Sequence, residues 1–136
     1  MATLAGAING LEALLATLSG SGLKRVHGDP PESLSEFPAA VVYPLEGTLE
    51  QDSHGFGREF HVIVLDIYLS RTSIAQASAA VQTWITAIST LLRTNPKLGS
   101  TADAVVWPVE YKVGPMPYAQ QLLFGVRFRI RVKVVA

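Results

Sequence analysis

Cysteine is absent from this 136-residue chain, which excludes disulfides, thiolate metal sites and cysteine nucleophiles together. Nothing in the sequence therefore marks an oxidising compartment. Charge is scarce as well, at 16% of residues against a usual ~25%. Eleven bases balance eleven acids, so there is no net charge for general polyanion binding. No apolar run approaches the roughly 18 residues a membrane-spanning helix needs. Met1-Ala2-Thr3-Leu4 lacks the positive start of a signal peptide, and Glu12 interrupts the apolar stretch behind it. What is plentiful is hydrophobic side chain, 49% of the chain, which is incompatible with disorder. The reading is a single domain over residues 1–136, made and used or assembled in cytoplasm. Its low charge implies that a partner covers some apolar surface.

The neutral total hides a division. Residues 1–70 hold nine acids and three bases, whereas residues 71–136 hold two acids and eight bases. Either the halves neutralise each other within one domain, or opposite faces meet head to tail between copies.

The periodicity predicts a helix over 4–18, with Leu4, Ile8, Leu11, Leu15 and Leu18 on one stripe and Thr3 as its cap. Gly6 and Gly10 weaken that helix by about 1 kcal/mol each, so it must lean on tertiary packing. A polar connector follows over 19–38, in which Val26 marks a short strand. Strands are predicted over 39–48 and 58–69, separated by a polar, glycine-bearing loop at 49–57. Both faces of the second strand are apolar, so both should be covered. Ile74, Ala77, Val81, Trp84, Ile85, Ile88, Leu91 and Leu92 trace a helix over 73–92, capped by Thr72 or Ser73 and ended by Asn95-Pro96. Strands over 103–113 and 119–135 flank Gly114-Pro115-Met116-Pro117, read as a turn. Pro44 and Pro108 favour an edge or a bulge. The resulting expectation is an α+β fold: an antiparallel or mixed sheet of about four main strands, with two helices packed on one face. Trp84 and Phe128 belong in its core.

No catalytic constellation emerges, and no cofactor is expected. His27, His54 and His61 have no zinc-like helical spacing. Asp52 and His54 lie two apart in a loop, where such pairs are ordinarily solvated. The glycines at 20, 22 and 28 follow no strand and make no dinucleotide fingerprint.

The strongest pattern is the last strand. Leu122, Phe124, Val126, Phe128, Ile130, Val132 and Val134 alternate with a basic row, Arg127, Arg129, Arg131 and Lys133. Like charges on one side of a strand call for partners. The acids of residues 46–59 (Glu46, Glu50 and Glu59 among them) are candidates, on a neighbouring strand or a neighbouring copy. Phosphates are another. A solvated row that guards an edge strand is the plain structural alternative.

Four stretches carry a resemblance: Phe37 to Tyr43; Phe60 to Leu69 with its Asp66-Ile67-Tyr68-Leu69; Ile74 to Leu92 followed by Asn95-Pro96-Lys97-Leu98-Gly99; and Phe124 to Val134. Over residues 37–134 the chain resembles the tail-terminator proteins of long-tailed bacteriophages. Neck and head–tail joining proteins look similar. The resemblance implies a structural virion protein of the tail or neck that forms a six-fold ring on the end of the tail tube. Such a ring stops tube polymerisation and offers an interface to the head connector, with DNA at most passing through the lumen and no membrane contact. Its partners would be further copies of itself, the tube protein and the connector protein. Arg127, Arg129, Arg131, Lys133, Glu46, Glu50 and Glu59 are then candidate subunit-boundary residues. The polar stretches 49–57 and 114–120 are candidate docking loops, with Asp52, His54, Phe56, Met116 and Tyr118. A nucleic-acid-associated protein using the basic row is the competing class.

Overall fold

The computed structural model describes residues 3–18, 23–28, 31, 37–51, 55, 57–69, 74–118 and 121–135. In chain order the elements are α1 (Leu4–Ala16), β1 (Arg25–His27), β2 (Ala39–Gln51), β3 (Gly57–Leu69), α2 (Ile74–Thr94), β4 (Ala104–Tyr118) and β5 (Gln121–Val135). The five strands form one mixed sheet in the order β1-β2-β3-β5-β4. β1 runs parallel to β2, whereas the other three pairings are antiparallel. The α+β architecture with two helices on one face is as the sequence predicts, with the short β1 making a fifth strand.

Strand alternation sorts the side chains. Ile63, Leu65, Ile67, Val126, Phe128, Ile130 and Val132 face the helices and form the main core with Leu11, Leu15, Val81, Trp84, Ile88 and Leu92. Trp84 and Phe128 are both buried there. Full burial of a leucine or isoleucine of this kind contributes about 1.5–3 kcal/mol. Thr3 caps α1, its Oγ1 accepting from the Gly6 N–H at 3.0 Å. The proposed caps Thr72 and Ser73 lie outside the described residues.

Glycine in α1 has a packing reason. A methyl group at Gly10 would stand 2.6 Å from the Leu98 carbonyl oxygen and would also collide with Thr101 Oγ1. The helix is thus held against the connection between α2 and β4. In that connection Leu98, Gly99 and Ser100 all take positive φ values, with Leu98 turned fully into the core.

Three expectations need correction. The 49–57 loop is shorter than the sequence implies, because β2 continues to Gln51 and β3 starts at Gly57. Gly114-Pro115-Met116-Pro117 is not a turn but the end of β4, paired with residues 122–125 of β5. The prolines are tolerated because β4 is an edge strand, where outward positions need no ladder donor. Covering of the second face is only partial. Ala39, Val41, Tyr68, Met116 and Leu123 make a small second cluster with Phe37, Tyr43 and Tyr118 at one end, while the rest of that face is open. Pro44 and Pro108 each lie at a register shift, Pro44 in β2 and Pro108 in edge strand β4.

Candidate functional site

The open face is built around β5. Because Phe124, Val126, Phe128, Ile130 and Val132 turn toward the helices, Arg127, Arg129, Arg131 and Lys133 project together from the other side. The register places Asp66, Val64, Val62 and Phe60 of β3 beside them in that order. On the outer side, Lys112 lies opposite Arg127 and Glu110 opposite Arg129.

Asp66 is fully buried, the only buried charged side chain among the described residues. Arg127 grips it with two hydrogen bonds, Nε to Oδ1 at 2.8 Å and Nη2 to Oδ2 at 3.1 Å. The hydroxyls of Tyr43 and Tyr68 also donate to Oδ2, at 3.0 and 3.3 Å. The buried carboxylate is therefore satisfied by four donors, the arrangement that such burial demands. The hydrogen bond to Asp66 is also the main reason the Arg127 guanidinium holds its proton more firmly than usual. Burial, and after it the Asp66 charge, pushes the Tyr43 hydroxyl up to about 12. Tyr68 is raised for the same two reasons.

The other members of the row are held more loosely. Arg129 reaches across β3 to Glu46 Oε1 at 2.9 Å, with both side chains about half exposed. Arg131 lies over the Phe60 ring, its guanidinium carbon 5.1 Å from the centroid. No carboxylate among the described residues stands within ion-pair distance of Arg131, Lys133 or Lys112.

Of the candidate acids, the fold brings only Glu46 to the basic row, and it does so inside one chain. Glu50 sits opposite Arg58 near the end of β2. Glu59 belongs to the helix-bearing side, its Oε1 2.8 Å from His61 Nε2. The Asp66–Arg127 and Glu46–Arg129 contacts join the acidic and basic halves of the sequence within the molecule. Asp66 is the partner that sequence reasoning missed. Its signal was present, since an acid with apolar neighbours on both sides of a buried strand requires a cation nearby.

Met116 and Tyr118 are not loop residues. Met116 is buried opposite Leu123, and Tyr118 stacks edge-on against Tyr68 at 5.3 Å and donates its hydroxyl to the Pro31 carbonyl. Asp52, His54 and Phe56 lie outside the described residues.

Three depressions mark the open face. One, of about 230 Å³, lies between Lys112 and Arg127; one, of about 310 Å³, beside Trp107, Glu110 and Arg131; one, of about 270 Å³, beside Glu46 and Phe60. They are at or below the small end of ligand-sized sites, roughly 300 Å³. Among the described residues no three His, Asp or Glu side chains gather as a metal-binding group, and no helix is long and apolar enough to cross a membrane. What the face can do chemically is offer fixed cations to an extended anionic or polar surface. No family model matches the chain, and a search of curated proteins finds no significant match.

Proposed function

We propose that the protein is an assembly subunit that rings and caps the end of a long-tailed phage tail tube. The observation that carries this reading is where its uncovered apolar groups lie. Six large apolar side chains stand exposed among the described residues, and five flank the central β3–β5 pair: Leu45 and Leu49 on β2, beyond its pairing with β1, and Trp107, Tyr111 and Val113 on edge strand β4. Exposed apolar groups on both sides of the central pair suit contacts with neighbours on two sides, as ring closure requires. The low charge of the chain and the resemblance over residues 37–134 support the same reading. In it, Arg131, Lys133 and Lys112 are the cations left to meet a neighbour or DNA threading the lumen. Virion placement and the tube and connector partners belong to this proposal.

Light scattering of the purified protein, followed by electron imaging, tests it. The expected result is a closed ring that shortens tubes when added to polymerising cognate tube protein. A monomer at every concentration, with no effect on tube length, would overturn it. Tight DNA binding by the monomer, weakening steeply with salt, would instead favour the nucleic-acid reading.

A further inference from the structure

We propose that Leu49 on β2 of one copy seats in an apolar groove between α2 and β4 of the next. This rests on reading the chain as a ring-forming subunit and names the contact that joins neighbours. The groove exists because α2 packs over β5 and leaves the helix-facing side of edge strand β4 uncovered. Ile85, Ile88, Leu92, Trp107, Tyr111 and Phe128 line it, and it encloses about 140 Å³. Apolar cavities of roughly 150 Å³ hold a benzene-sized group, so one leucine side chain is a suitable occupant. Its outer wall is open to solvent, with Trp107 42% and Tyr111 55% exposed.

Leu49 is the most exposed large apolar side chain described, at 75%. Its strand neighbours are Thr48 and Glu50, and Glu59 lies opposite it on β3. The rim of the groove has the opposite sign. The Arg93 guanidinium lines the groove and sits over the Trp107 ring, 4.8 Å from its centroid. An apolar knob beside the Glu59 carboxylate thus matches an apolar hole beside the Arg93 guanidinium. Knob and hole lie on opposite sides of the β3–β5 pair, so they cannot meet within a single chain. Two copies can meet this way, and the contact is head to tail. Simple extension of the sheet from β4 is the weaker alternative, because Pro108, Pro115 and Pro117 remove donors from that strand.

The test uses two exposed-site variants, Leu49→Asp and Tyr111→Glu. Each alone should weaken self-association by about tenfold or more, while melting close to the parent. Mixed in equal amounts they should form a dimer and nothing larger, because only one intact knob and one intact hole remain. Acrylamide quenching gives a second readout. Trp84 is buried, so the accessible fluorescence reports Trp107; it should become shielded as the parent protein associates and stay accessible in Leu49→Asp. Variants that ring as the parent does would overturn this contact and leave the ring reading intact, as would single variants that fail to complement on mixing. A parent protein that never associates and never caps tubes would remove both. Should Tyr111→Glu fail to fold, the quenching contrast between the parent and Leu49→Asp still decides.

Discussion

Asp66 and Arg129 make a useful contrast, because each holds one ion pair of similar length in a different setting. Asp66 has no solvent to fall back on. Replacing Arg127 with Met leaves its carboxylate with two tyrosine donors and no countercharge. Full burial of such a broken pair costs about 3–5 kcal/mol; the half-exposed Arg127 side of this one argues for the lower end, about 2–3 kcal/mol. Arg129→Ala breaks a pair that water already solvates and should cost under about 1 kcal/mol. Urea unfolding of the two variants measures both, and equal effects would show that burial is not what separates them. The tyrosines around Asp66 add a dependence on pH. An unfolded chain loses these protons near the ordinary value of 10.0, whereas the native chain keeps that of Tyr43 until about 12. Across that window the native state binds more protons. Stability that is complete below pH 10 therefore falls as pH rises, by up to about 1.4 kcal/mol per pH unit for each tyrosine. Tyr68→Phe should make this alkaline slope shallower, as followed by melting temperature between pH 9 and 12.

The elements test how far local pattern reaches. Trp84→Ala should cost about 3–5 kcal/mol in thermal or urea unfolding, since α2 covers the sheet through that side chain. Gly10→Ala runs against propensity. Alanine gains about 1 kcal/mol in an exposed helix interior, yet here its methyl meets the Leu98 carbonyl and Thr101, and overpacking costs about 1–3 kcal/mol. A net loss of melting temperature is expected; a gain would mean that α1 can slide away from the connection. The same case explains what was legible in the sequence. The helix was visible because Leu11 and Leu15 repeat at its period, and β5 because its alternation never fails. The penalty at Gly10 was visible, but its purpose depends on residues 98 and 101, about ninety positions away. Gly114 to Pro117 misled for a related reason: glycine and proline report a break in local structure, but an edge strand accommodates both. The candidate site was half legible. The basic row followed from period two alone, while Asp66 could be matched to Arg127 only once β3 and β5 were known to be neighbours.

At the scale of the whole molecule, opposite charges balance near pH 6.8. Repulsion between copies is then at its weakest, so association should peak near that pH and lessen a unit or two to either side. Light scattering across pH 5 to 9 would measure it. The strand order has a further consequence, and it concerns time. The molecule is two hairpins, β2–β3 and β4–β5, zipped along the β3–β5 seam, where Asp66 and Arg127 meet across 61 positions of sequence. Each hairpin can form within about 1–10 μs, but a lone hairpin is at best marginally stable. Closing the long segment that contains α2 therefore limits folding. Until it closes, β3 and β5 each wait with an unpaired inner edge, and in a crowded solution the first suitable edge to arrive can belong to another chain. Rapid refolding at high concentration should consequently trap exchanged dimers, in which one copy's β3 is zipped to the other's β5, and slow dilution should avoid them.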